Sequence, residues 1–141
     1  MRHWNRAVAA LLAGAWVSAA AAADGVKVVY HINAGMEQAV NGLRNIRNHL
    51  DADPDARIVV VTHSDGIDFL LDGAKDKNGN PFEVAVQGLQ ERKVEFRVCR
   101  KTLQSRKLPD SVVIPEASIV PSGVAEVARL QAKEGFVYLR P

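Results

Sequence analysis

Hydrophobic and polar positions follow two different periods along this chain, and each change of period marks an element. Val26 to Ile32 (Val-Lys-Val-Val-Tyr-His-Ile) is β-branched and largely apolar, the pattern of a strand covered on both faces. Asn33-Ala34-Gly35 breaks it. From Met36 the apolar residues recur at Ala39, Val40, Leu43, Ile46 and Leu50, a helical stripe, while Asn41, Arg44, Asn45 and Asn48 take the opposite face. Asp53-Pro54-Asp55 terminates that helix. Arg57 to His63 repeats the buried-strand pattern, Ser64-Asp65-Gly66 turns it, and Ile67 to Leu71 has room only for a short helix.

Asp72 to Asn80 is polar and reads as an exposed loop. A helix is expected next, with Asn80 as its cap, Pro81 in its first position, Glu83 closing a capping box, and Phe82, Ala85, Val86 and Leu89 buried. Lys93 to Cys99 then alternates apolar and charged residues, a strand pattern that ends on the only cysteine. Glu95 and Arg97 are unusual for a central parallel strand, so one face of it is expected to meet water or another subunit. Ser105 to Pro115 is irregular, and Ala117 to Val120 is a short fourth strand. Pro121-Ser122-Gly123 leads into a helix through Lys133, with Glu126 one position too late for a capping box from Ser122. Gly135 suits the helix end, and Phe136 to Arg140 makes a last strand. Alternating elements without repeats predict the α/β class: a three-layer α/β/α sandwich on a mostly parallel five-stranded sheet.

The N-terminus changes how the composition is read. Arg2 and Arg6 precede an apolar run from Ala7 to Val17, and Ala21-Ala22-Ala23 stands before Asp24. This is the layout of a secretory signal peptide over residues 1–23, cut after Ala23, which implies a periplasmic protein. The apolar run falls short of the roughly 20 residues that span a bilayer, so no stable membrane insertion is expected after cleavage. Residues 24–141 then form one domain with its own core. Of 18 Lys+Arg and 16 Asp+Glu, Arg2 and Arg6 leave with the leader, so the mature chain carries 16 of each. With no basic cluster interleaved with aromatics, nothing points to nucleic acid.

In a parallel sheet the C-terminal strand ends share one edge, where ligands and reactive groups collect. His31 and Asn33 end the first strand, His63 and Ser64 the second, and Cys99 the third. The N–H groups at Ser122 and Gly123 can face the same edge and favour an anion. A single cysteine in an exported chain is buried and inert, paired with another chain, or a free reactive thiol. The reactive reading uses Arg100 and Lys101, with His31 or His63 as proton acceptor, to favour the thiolate and persulfide or mixed-disulfide states. A small-ligand or metal-binding module, with Cys99 as one contact among several, is a second reading. A metal site would take His31, His63 and Cys99 as ligands to zinc or copper, but these residues lack local ligand spacing, so no metal is assigned. A structural homo-oligomer with an inert buried cysteine is the third reading. Hydrolase and nucleotide motifs are absent.

Several stretches resemble the DsrE/DsrF-like sulfur-relay family, and its exported single-domain members most. They are Val98-Cys99 with Thr102-Leu103, Val120-Pro121-Ser122-Gly123-Val124-Ala125-Glu126 with Leu130-Gln131, and Gly135-Phe136-Val137-Tyr138-Leu139-Arg140-Pro141. His31, Asn45-Ile46-Arg47-Asn48, and His63 with Gly66 also match. The resemblance implies a three-layer α/β fold, a trimer or hexamer, and in several members a cysteine that carries sulfur as a persulfide. Cys99 occupies the matching position. It would accept sulfane sulfur from a donor protein and pass it to an acceptor, without an organic cofactor, as a carrier more than a turnover enzyme. His31, His63 and Asn33, with Arg100, Ser122 and Gly123, would support it. Two departures stand out: Arg100-Lys101 where small or amide residues are usual, and Ser64 in place of a common Gly.

Overall fold

A computed structural model describes residues 25–141; the leader expected over residues 1–23 lies outside them. Strands β1 (Lys27–Ile32), β2 (Arg57–Thr62), β3 (Glu95–Cys99), β4 (Ala117–Val120) and β5 (Val137–Leu139) form one sheet in the order β4-β3-β2-β1-β5. Every neighbouring pair is parallel. Helices α1 (Met36–Ala52), α2 (Phe82–Glu91), α3 (Arg100–Ser105) and α4 (Gly123–Glu134) alternate with the strands, and a 3-10 helix spans Ser64–Leu70.

Strand order explains the layering. Steps from β1 to β4 run in one direction across the sheet, so right-handed crossovers put their helices on one face. The return from β4 to β5 reverses direction and carries α4 across the other face. Alternate strand residues serve the two sides. Val28, Tyr30, Ile32, Ile58, Val60, Phe96 and Val98 pack against α1, α2 and the 3-10 helix, with Phe69 and Leu70 at the centre. Val29, Val59 and Val61 meet Val127, Leu130 and Phe136 in a smaller core beneath α4.

Local chemistry departs from the sequence reading in two places. Helix α2 begins at Phe82, with Pro81 as its N-cap and no side-chain cap bond. Asn80 instead donates to Asp76, and Glu83 accepts from Gln87, so the expected capping box does not form. The last strand is three residues long, because Phe136 turns into the core beneath α4. Glu95 and Arg97 project onto the α4 side in register with Val59 and Val61. Arg97 ends in ion pairs with Glu95 and with Glu126 of α4, which is how a guanidinium fits an interior strand, while the Glu95 side chain is 45 % exposed, the contact with water expected of this face. Two other expectations hold at the ends of α4. Ser122 caps it through Ala125 N–H, and Gly135 closes it in the left-handed conformation at φ 73°.

Among the described residues, no helix is long and apolar enough to cross a membrane.

Candidate functional site at the C-terminal edge of the sheet

Cys99 is the last residue of β3 and the N-cap of α3, and it is 4 % exposed. Its position on β3 puts it on the same face as Arg97 and Glu95, beneath the start of α4. Gly123 packs against it. A Cβ on Gly123 would lie 3.2 Å from the Cβ atoms of both Cys99 and His63, and 2.9 Å from the Thr62 carbonyl oxygen. Cys99 and His63 are therefore side by side, their Cβ atoms no more than twice that distance apart. Only a residue without a side chain fits between them.

The sulfur sits among donors. Burial pushes the thiol pKa up, but the Gly123 N–H, the Thr102 hydroxyl and the N–H groups of Thr102 and Lys101 pull it down further, and the net direction is below the usual thiol value. Cys99 makes no side-chain cap bond to α3, so these groups act as oriented dipoles facing the sulfur. The Thr102 hydroxyl is itself held: its oxygen accepts from Ser64 N–H at 2.9 Å, which leaves its single proton free for the sulfur.

His31 and His63 meet at the same edge. Their Nε2 atoms are 2.7 Å apart, and the rings lie 4.8 Å centroid to centroid. One Nε2 must carry the proton and the other accept it. His31 Nδ1 is 2.6 Å from the Tyr138 hydroxyl, and His63 Nδ1 is 3.0 Å from Ser64 Oγ. The result is a continuous chain, Tyr138–His31–His63–Ser64. Burial holds both imidazoles below their usual pKa, and for His31 the charges of His63 and Arg140 add to it. A neutral pair follows at pH 7.

The other residues singled out in the sequence divide. Gly123 adjoins the sulfur, while the Ser122 side chain is used as the α4 cap. Asn33 turns away; its Oδ1 accepts from Arg140 at 3.3 Å, and its N–H is bound by Gln38. Arg100 does not assist the thiol through its charge, because its guanidinium bonds both oxygens of Asp110 at 2.9 Å. Sequence reasoning missed the Thr102 hydroxyl and the Tyr138 hydroxyl as site groups. Thr102 stands three residues after Cys99, and a Thr at that spacing after a candidate nucleophile was the available signal. Tyr138 had none, since only the place of β5 beside β1 brings it to His31.

Among the described residues, no group of three or more His, Cys, Asp or Glu side chains is arranged to hold a metal ion.

The model of the DsrE/DsrF-like family matches residues 9–140. Among solved structures, the chain is similar to MTH1491 from Methanobacterium thermoautotrophicum, a protein of unknown function. The TM-score is 0.72 at 29 % identity, over 82 % of this chain and 99 % of that one. It is also similar in fold to the ychN protein from E. coli, with a TM-score of 0.69 at 18 % identity over the same shares, 82 % and 99 %. No curated protein matches the chain.

Proposed function

The chain belongs to the DsrE/DsrF-like family, and from that premise we propose that it is an exported sulfur carrier that holds sulfane sulfur as a persulfide on Cys99. One observation carries the reading: a buried thiol is pulled toward the thiolate by Gly123 N–H, Thr102 and Lys101, where burial alone would do the opposite. The thiolate is the nucleophile in sulfur exchange. Cys99–S⁻ attacks the outer sulfur of a donor persulfide R–S–SH. The new S–S bond forms on Cys99, the donor's S–S bond breaks, and the donor leaves as the thiolate R–S⁻. No outside oxidant is consumed. Attack on the Cys99 persulfide by an acceptor thiolate repeats the exchange in the forward direction. The neutral His31–His63 pair beside the site can accept a proton from an incoming thiol.

The donor and acceptor are proteins bearing such thiols, the carrier works as a homo-oligomer (a trimer or hexamer), and residues 1–23 direct it to the periplasm. A second reading is favoured by the 4 % exposure of Cys99, which also suits an inert core cysteine in a structural subunit. Intact-mass spectrometry after exposure to polysulfide separates the two. The carrier gains a single sulfur that dithiothreitol removes, and Cys99→Ser gains none. An unreacted native protein would leave the structural reading, and a reducible gain that persists in Cys99→Ser would sink the assignment to this residue.

A further inference from the structure

Arg97 and Glu126 are the charged residues most deeply set beneath α4, with side chains 14 % and 10 % exposed, and sulfur exchange uses neither. Arg97 lies two positions before Cys99 on the same face of β3, and its Nη1 donates to Glu126 Oε1. Its Nη2 donates to Glu95 at 2.5 Å. Arg129 holds the same Glu126 carboxylate from the helix side, at 2.9 and 2.8 Å. A buried ion pair is weak evidence for stability, since an apolar pair of similar volume often does as well. Geometry is the better account of this one.

The first turn of α4 shows why. Val124 and Ala125 face outward, and Gly123 has no side chain, so Glu126 supplies the only buried side chain of that turn. Its own N–H bonds the Ser122 carbonyl at 3.0 Å. The apolar anchors of the helix, Val127 and Leu130, come later. Without a tether the leading turn would be free to lift or fray. We propose that Glu126, through Arg97, is a positioning residue that holds the first turn of α4, and with it the Gly123 N–H, against the Cys99 sulfur. The inference rests on the reading that Cys99 works as a thiolate.

The sign of one measurement tests it. Cys99 is the only cysteine, so its titration can be followed by the Cβ carbon shift of labelled cysteine in the full chain, with no sulfur donor present. Glu126→Gln removes a negative charge near the sulfur. If charge alone mattered, the titration midpoint would fall. If Glu126 positions the helix, the midpoint rises by about one pH unit, leaving about tenfold less thiolate at a given pH below it. Glu126→Asp keeps the charge but draws the carboxylate back by one methylene; it raises the midpoint too, and it carries the test should the Gln variant not fold. His63 on the β2 side, Glu95 and Arg97 on β3 and Lys101 on α3 are unchanged in both variants. An unaltered or lowered midpoint, with or without a loss of stability, overturns the proposal. Since no donor is used, failure of Cys99 to take up sulfur would be a separate result.

Discussion

Gly123 shows how a missing side chain can build a site. Its backbone stands where any Cβ would press on the Thr62 carbonyl at 2.9 Å, so a larger residue must push α4 off the sheet or bend β2. Gly123→Ala is therefore expected to cost about 1–3 kcal/mol, the usual range for overpacking a filled interior. The same displacement withdraws the Gly123 N–H from the sulfur, so the Cys99 midpoint moves up as well. Urea denaturation reads the first effect, and the pH dependence of thiol alkylation reads the second. A destabilised variant with an unchanged alkylation profile would show that this N–H does not set the thiol. Ser64 uses a different device at the same edge. It holds a left-handed φ of 51°, a conformation that costs a non-glycine residue about 1–2 kcal/mol. In return its hydroxyl reaches His63 and its N–H reaches Thr102, two contacts of which glycine could make only the second.

At the scale of elements, two parallel strands ending in near register create the imidazole pair. His31 stands one residue before the end of β1 and His63 one residue past the end of β2, on the same face, and their mutual contact disfavours adding a second proton. Both have folded pKa values lowered by burial, so the folded state resists a proton that the unfolded chain accepts at about 6.5. Stability is then whole above about 6.5 and declines as the pH falls from there through the folded values. Urea midpoints measured across that window should show this slope, and His31→Gln/His63→Gln should flatten it. An equal slope in the double variant would assign the acid sensitivity elsewhere. The strands that make this pair were legible because Ile58 to Val61 is apolar on both faces, which only an interior parallel strand requires. Convergence of His31, His63 and Cys99 on one edge followed from parallel order alone. Their partners did not follow. The contact of Tyr138 with His31 depends on β5 joining beside β1, and Glu126 reaches Arg97 from 29 residues away. The start of α2 differs from the expected one because Asn80 donates to Asp76 through both its side-chain amide and its backbone N–H, instead of accepting from the helix N–H groups it was expected to cap.

Across the whole molecule, one sheet is the shared wall of two cores, and this sets how the protein unfolds. Val28 and Tyr30 face the larger core, while Val29 between them faces the smaller. The same alternation holds through β2, where Ile58 and Val60 lie opposite Val59 and Val61. Neither core can be lost without removing one wall of the other, so the two faces should melt together. The tyrosines offer a direct test, because the chain has two and they lie on opposite faces. Tyr30 packs in the larger core with its hydroxyl 3.0 Å from His49, and Tyr138 lies on the α4 side, in register with Val29. Both tryptophans, Trp4 and Trp16, precede Asp24, so a chain starting there has the two tyrosines and no tryptophan. With 3-fluorotyrosine incorporated into that chain, the two native fluorine resonances should disappear at one urea concentration. Loss of the Tyr138 signal well before that of Tyr30 would mean that α4 and β5 detach as a separate unit. The Gly123 N–H would then leave Cys99 while most of the fold persists, and the thiol would be governed by a local opening in place of a fixed geometry.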